Sequence, residues 1–440
     1  MNLVVARNCS NSCPYCFESS ERGEQRQNLI TIEKVDELAA WGRASGLQFL
    51  SLLGGEPFLH PQLPEIINHL QKASPATSLQ ILTGGVFKKR LLQTISSQQV
   101  GIIFNINEPC DYRNPKHFAK VIGNIEEAIK LGFKVVVGFN VWRIDFDTGF
   151  IPTLSYNLGR SGFRWAVANP QLNLHSNVVH TSQFASLSPR CFEMLEKAAA
   201  LNLEAELDCP LPLCFFSENQ LAWLRQYHPK TSLRMGVCDP VLDVTPELEA
   251  IRCFALSKLE RVKVTDFPNE WTILEWFRQN VDSCLVSEGC FTYCKKCIHF
   301  KSGSCNGGCL GWHKYAPDLN PDTNPYQLAN AMNQAIEIGQ IEKVLELYQK
   351  AGERAKQDLP AFIAAAAALR LGKSEIAFRL AARVVDITRN PNLRKQALEL
   401  INITSLEPDT ILQIPNVPHQ LLSTVSMHNL CNDRIDTITD

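Results

Sequence analysis

The first 170 residues alternate between short aliphatic and β-branched runs and longer stretches whose apolar positions recur every three or four residues. The runs predict strands at Leu3–Ala6, Phe49–Leu53, Leu79–Thr83, Gly101–Asn107, Lys134–Val141 and Phe163–Ala168. Between them, Ile32–Ala44, Pro64–Ala73 and Phe118–Leu131 carry the period of amphipathic helices. Thr31 stands where an N-cap hydroxyl belongs. Gly46, Gly132 and Gly162 each fall between a helical run and the next strand, where a left-handed residue closes a helix. Six strands alternating with helices predict a parallel α/β sheet, open or curled into a partial barrel. In such sheets ligands gather at the carboxyl ends of the strands.

The regularity is expected to fail beyond residue 170. Cysteine, proline and short apolar runs dominate to about residue 320, which suits a region held by bound metal more than by a large core. Residues 326–402 turn helical and Ala-rich. Aligning Gly339 with Gly372, an offset of 33 residues, also pairs Ala335 with Ala368, Ile338 with Leu371, Glu342 with Glu375 and Leu345 with Phe378. Either two helix hairpins of tetratricopeptide (TPR) type or an ordinary helical appendage accounts for that offset. The expected organisation is 1–170, 171–325, a helical arm 326–405 and a tail 406–440.

Composition narrows the function classes. Of 440 residues, 45% are hydrophobic and 20% charged, a globular balance, and the formal charge of −2 lacks the basic footprint of a nucleic-acid binder. The longest apolar run, Leu359–Leu369, is about half of a bilayer span. The opening MNLVVARNCS has no signal-peptide pattern. A soluble, cytoplasmic protein with no membrane or nucleic-acid partner is expected. Its sixteen cysteines then point to metal ligation or catalysis, because a reducing compartment does not sustain a disulfide framework. They are not scattered: Cys9, Cys13 and Cys16 crowd one end, and Cys284, Cys290, Cys294, Cys297, Cys305 and Cys309 crowd a later stretch.

Cys9-x3-Cys13-x2-Cys16 follows the first strand directly. Three thiolates at this spacing suit three corners of a 4Fe–4S cube and leave one iron open to a small-molecule ligand. A zinc site is the alternative, but no matching Cys or His pair follows in this loop. With Tyr15 before the last cysteine, and Gly54-Gly55-Glu56-Pro57 after the second strand, the chain resembles the radical S-adenosylmethionine (radical SAM) superfamily. That resemblance covers residues 1–170 and implies a partial (β/α)6 TIM-like barrel, a 4Fe–4S cluster and S-adenosylmethionine as cofactors. It also implies reductive cleavage of S-adenosylmethionine to a 5′-deoxyadenosyl radical. In the family the GGEP segment meets the cosubstrate's amino group, so Gly54, Gly55, Glu56 and Pro57 are expected there, with Glu56 either pairing the ammonium or bracing the turn. Thr83 and Gly84 fall where the family often places ribose contacts. Asn105 and Asn107 on the fourth strand and Asn140 on the fifth either face the same cavity or make strand-end hydrogen bonds.

The second cysteine group, Cys238-x14-Cys253 followed by Cys294-x2-Cys297-x7-Cys305-x3-Cys309, resembles the SPASM extension of radical enzymes that modify peptides. The resemblance implies one or two auxiliary clusters, one on Cys238, Cys253 and Cys309 and the other on Cys294, Cys297 and Cys305. Three departures stand out. Leu248 occupies the place of the family's usual glycine, the third gap is x7 where x5 is usual, and the closing cysteine is missing. Cys284, Cys290 or Cys431 are candidates to replace it, with Cys209 or Cys214 completing the first site; a single zinc is the alternative. Cys110 and Cys191 stay unassigned, as do the histidines, which show no paired metal spacing.

The resemblance implies an enzyme that matures a ribosomally made precursor peptide, with cross-linking or backbone excision, such as tyramine splicing, favoured. Epimerisation and sulfatase-maturase-like residue oxidation are the alternatives within that class. A non-catalytic iron–sulfur scaffold for electron transfer and partner binding is the alternative outside it. Only eight residues precede Cys9, so a small separate leader-binding partner or the helical arm is expected to hold the peptide. A flavodoxin- or ferredoxin-type protein is the expected electron donor.

Overall fold

The computed structural model describes residues 1–16, 29–169, 179–239, 241–286, 289–291, 293–315, 328, 332, 335–336, 339–351, 358–388 and 391–404. Cys431 and the segment 406–440 lie outside them. The chain divides into two compact units, Met1–Phe216 with Leu221–Leu319, and Asn320–Asp440 with Ser217–Gln220.

The first unit is built on one ten-stranded sheet. Its parallel part runs β1 (Asn2–Ala6), β2 (Phe49–Gly54), β3 (Ser78–Thr83), β4 (Val100–Ile106), β5 (Val135–Val141), β6 (Gly162–Val167) and β7 (Glu204–Leu207), each beside the next. Val, Ile, Leu and Phe fill most positions of β1 to β5, as expected of strands covered on both faces. Helices α1 (Ile32–Ser45), α2 (Leu63–Ala73), α3 (Lys116–Lys130), α4 (Phe150–Asn157) and α5 (Phe184–Ala200) supply five of the six crossovers, and the 3-10 helix Lys89–Thr94 lies in the one between β3 and β4. The Thr31 hydroxyl accepts from Lys34 N at the start of α1, and Gly46 closes it at φ 70°. The expected strands and helices lie within two residues of those observed.

Two expectations need correction. Gly162 does not close a helix; Gly159 does, at φ 64°, while Gly162 opens β6, where a Cβ would lie 2.1 Å from the Glu204 carbonyl of β7. Nor does regularity fail after residue 170, because α5 and β7 prolong the alternation and make seven parallel strands where six were expected. On the other edge β8 (Asp243–Val244) joins β1 in parallel, and β9 (Glu249–Ile251) and β10 (Arg261–Lys263) continue antiparallel. The cysteine-rich region is therefore no metal-held island. Leu211, Leu242, Phe277, Phe291 and Trp312 share one buried core with Leu3, Ile81 and Phe104 of the barrel strands.

The second unit contains helices Ile341–Lys350, Asp358–Arg370, Ser374–Ile387 and Pro391–Thr404 around their own core. Every residue from Pro360 to Leu369 is buried. Gly339 and Gly372 are both left-handed, at φ 78° and 67°. Their surroundings repeat bond for bond at the offset read from the sequence. Gly339 N donates to Ile336 O and Gln340 N to Ala335 O, while Gly372 N donates to Leu369 O and Lys373 N to Ala368 O. Among the described residues, no helix is long and apolar enough to cross a membrane.

Candidate functional site

The carboxyl ends of β1 and β2 are stitched together. Gly55 N donates to Ala6 O at 2.6 Å, and Glu56 N donates to Asn8 O at 2.8 Å. A Cβ on Gly54, which sits at φ 136°, would lie 2.1 Å from Ala6 O; one on Gly55 would lie 2.4 Å from both Arg7 O and Asn8 O. Only glycines permit this approach. The turn thus grips the backbone one residue before Cys9.

Cys9, Cys13 and Cys16 are all half-buried on the loop beyond. Asn11 N donates to Cys9 Sγ at 3.3 Å, and Cys13 Sγ receives the Asn11 and Asn107 side-chain amides, each at 3.4 Å. Asn107 is oriented by the Tyr15 hydroxyl, which donates a very short bond to its carbonyl oxygen. Burial, followed by the Cys13 charge, holds the Tyr15 hydroxyl well above its usual range, while a hydrogen bond with Asn140 opposes the shift. So Asn107 and Asn140 both reach the cysteine loop through Tyr15. Asn105 lies beside Gly138 of β5, where a Cβ would meet its side-chain oxygen at 2.8 Å.

Glu56 is buried. Its two oxygens accept from the Thr83 hydroxyl at 2.7 and 2.8 Å and from Phe58 N at 3.2 Å, and Thr83 in turn accepts from Gly85 N at 2.9 Å. Burial pushes the Glu56 carboxyl up to about 7 against the Thr83, Phe58, Gly84 and Gly85 hydrogen bonds. Of the two expected roles for Glu56, this geometry is that of a turn brace. The Thr83 side chain is spent on the same brace. Gly84 is near both Asn11 Nδ2 and Glu56 Oε2, where a Cβ would find them at 3.7 and 3.9 Å.

Nine of the twelve remaining described cysteines fall into two sets. Cys309 is raised by burial and then by the charges of Cys238, Cys209 and Cys253, and Cys253, pushed up to about 12 by burial, also feels Cys238. Cys214 is raised by burial and then by Cys305, Cys294 and Cys297. Cys290 is a fifth member of this second set. Its S–H donates to Cys294, which is lowered to about 7 by that bond first of all. Cys209 and Cys214 come from one short loop after β7. Pro210 O accepts from Cys309 N at 2.9 Å, and the Tyr293 hydroxyl donates to Cys214 Sγ at 2.9 Å. The sequence offers Cys209 or Cys214 only as candidates for one site, because no short spacing ties this loop to Cys294–Cys309, some 80 to 100 residues later. Cys284 is exposed and Cys191 is buried in α5.

Around a single zinc ion, with Zn–S near 2.3 Å, thiolate sulfurs stand about 3.8 Å apart. Among the described residues, the only group of three or more His, Cys, Asp or Glu with ligand atoms all within 4.8 Å is Glu108, Cys110 and Asp111. Arg143 already occupies that group, with a very short ion pair to Glu108 and contacts to Asp111 at 3.4 Å and Cys110 at 3.3 Å. None of the three cysteine sets is drawn together as one zinc demands.

Comparison with known proteins agrees with this arrangement. Residues 3–145 match the family model described as the radical SAM superfamily. Human molybdenum cofactor biosynthesis protein 1 is 27% identical over 143 residues, 31% of this chain and 22% of that protein. A probable GTP 3′,8-cyclase of Methanococcus maripaludis is 24% identical over 147 residues, 33% of this chain and 48% of that one. The match therefore takes in less than half the length of these curated relatives. Among solved structures, native anSMEcpe with bound AdoMet has a TM-score of 0.53 at 14% identity, covering 77% of this chain and 98% of that one. The Streptococcus suis protein SuiB bound to S-adenosylmethionine has a TM-score of 0.50 at 13% identity, covering 70% and 72%. At such identities the likeness is one of fold. The family match thus falls on residues 3–145, the part of the chain that contains the joined ends of β1 and β2, and it is there that the chain is similar to the radical SAM superfamily.

Proposed function

We propose that this protein is a radical SAM enzyme that modifies a ribosomally made peptide, by cross-linking or by backbone excision. In this reading Cys9, Cys13 and Cys16 hold a 4Fe–4S cluster, and Gly54–Pro57 line the pocket for the methionine end of S-adenosylmethionine. A cluster bound by these three cysteines would supply, when reduced, the electron for cleavage of the cosubstrate to a 5′-deoxyadenosyl radical. The chain's own contribution is orientation and exclusion of water. Glu56 and Thr83 hold the turn rigid, and Tyr15, Asn107 and Asn140 fix the cysteine loop against β4 and β5.

The observation that carries the peptide reading is the pair of further cysteine sets on the same core as the barrel. We assign Cys209, Cys238, Cys253 and Cys309 to one auxiliary cluster of a SPASM-like region. Cys214, Cys294, Cys297 and Cys305 go to a second, with Cys290 as a thiol donor to Cys294. The fold neighbour anSMEcpe has also been solved with AdoMet and the Kp18Cys peptide bound, at a TM-score of 0.53. The likeness to GTP 3′,8-cyclases is confined to a third of this chain and says nothing of the cysteine-rich region. The helical unit, read as TPR-like, is a candidate holder of the peptide or of a small leader-binding partner.

Reconstituted protein given S-adenosylmethionine and dithionite should release 5′-deoxyadenosine, and coexpression with a precursor peptide should change that peptide's intact mass. A loss of two mass units means cross-linking or oxidation, and a large loss means excision. Deuterium uptake without a change in elemental mass would mean epimerisation and would overturn the favoured reaction. No deoxyadenosine from well-reconstituted protein would leave the scaffold reading standing.

A further inference from the structure

Arg252 is one of the largest fully buried side chains of the protein, 2% exposed, and it lies between β9 and Cys253. A guanidinium buried this deeply is costly unless its donors meet negative partners. Its Nε is satisfied by Asp282, at 2.9 and 3.0 Å from the two carboxylate oxygens. Its Nη2 points elsewhere and donates to Cys238 Sγ at 3.3 Å. Asp282 is itself buried, at the end of the single wide turn Arg278–Asp282. The other charged or titratable groups facing this pair are Cys253, Asp243, which binds Phe254 N at 3.0 Å, and the half-exposed Arg278 near Asp282. A fixed cation is thus held against Cys238 and Cys253 of one cysteine set, with a fixed anion bound to its Nε.

We infer that Arg252 and Asp282 form an opposed charge pair that sets the reduction potential of the iron–sulfur group on Cys209, Cys238, Cys253 and Cys309, with Arg252 raising it and Asp282 tempering the rise. This rests on the proposed assignment of those four thiolates to a cluster. Adding an electron to a cluster adds negative charge, so a nearby cation or an N–H donor to a ligand sulfur favours the reduced state. A nearby carboxylate does the reverse. A merely structural salt bridge would give no such reversal of sign between its two members.

The test uses the full chain carrying Cys9→Ala, Cys13→Ala and Cys16→Ala, so that only the auxiliary sets remain. An electron paramagnetic resonance redox titration then follows both potentials. Arg252→Met should shift one of the two to lower potential and leave the other unmoved, which serves as an internal control. Arg252→Lys, which keeps the charge, should return it towards the parent value, and Asp282→Asn should move the same cluster to higher potential. If Arg252→Met fails to load iron, the lowered potential in Arg252→Gln, its return towards the parent value in Arg252→Lys and the upward shift in Asp282→Asn carry the same test. Unmoved potentials, or shifts of the same sign from the Arg252 and Asp282 variants, overturn the inference while leaving the cluster assignment intact. A parent variant that binds no iron overturns the assignment itself, and the inference with it.

Discussion

Gly55→Ala is the sharpest probe of how the barrel positions its cysteine loop. The new methyl carbon would lie 2.4 Å from both Arg7 O and Asn8 O, where real Cβ atoms keep beyond 3.0 Å. Neither oxygen can swing away freely. Asn8 O is bound by Glu56 N at 2.8 Å, and the neighbouring Ala6 O by Gly55 N at 2.6 Å. The end of β1 must therefore retreat by about 0.6 Å or the turn must open, a strain of about 3 kcal/mol, at the upper end of overpacking costs. The load falls one residue before Cys9, at the rim of the sheet and away from the core of α1, α2 and the central strands. Circular dichroism should show a folded protein, whereas iron analysis should show the loss of about one cluster. Release of 5′-deoxyadenosine should fall steeply with it. A Gly55→Ala protein with full iron and unchanged deoxyadenosine release would refute the view that this backbone approach is what places the loop.

Three further outcomes are expected. Glu56 keeps its proton up to about pH 7 in the folded protein, against 4.5 ordinarily, so apo-protein stability should fall as pH rises through that window, by about 3 kcal/mol. Denaturant unfolding across the window should show a shallower fall for Glu56→Gln, and an equal slope in both proteins would count against the raised carboxyl. Cys209→Ala and Cys214→Ala should each lose about four irons from the loaded protein, from different clusters distinguishable by their paramagnetic signals; full iron in either would remove that residue from the ligand set. Leu248→Gly relieves a left-handed backbone but empties a core position, and the cavity, worth about 2–5 kcal/mol, should outweigh about 1–2 kcal/mol of strain. Thermal unfolding should therefore come earlier, and a rise in melting temperature would show the strain to be the larger quantity.

Leu248 also shows where the sequence could and could not be read. The family likeness asks for glycine there, and this chain has leucine. Yet the backbone keeps the glycine-like conformation, at φ 64°, with Leu248 N bound to Thr245 O and the side chain 2% exposed. The hairpin shape survived the substitution because burial of the side chain offsets the strain. β1 to β5 were legible because their runs of Val, Ile, Leu and Phe are long enough to set a pattern, and β6 because Phe163, Trp165 and Val167 alternate with other residues. β8, with two residues, and β9 and β10, with three each, are too short for any periodicity to register. Gly162 was misread because its need for glycine comes from Glu204, which is 42 positions away in sequence and adjacent only once β6 and β7 pair. Cys209 and Cys214 were open candidates for the same reason: sets of thiols assembled across the fold leave no spacing to read.

That last pair bears on how the cysteine-rich region is held. Between Cys209 and Cys214 the chain reads Pro-Leu-Pro-Leu; its two prolines carry no N–H, and the Leu213 N–H donates to Cys305. Pro210 O takes Cys309 N, and Leu211 O takes Gly236 N at 2.7 Å, two residues before Cys238. Gly236 O then takes Asn306 N and Gly308 N, the residues between Cys305 and Cys309. Leu211 itself is fully buried in the common core. Because β7 ends at Leu207, two residues before Cys209, the register of the last parallel strand is passed directly to both cysteine sets. Strand-end hydrogen bonds and core packing therefore position these thiols, as the proposed cluster assignment requires of a preorganised site.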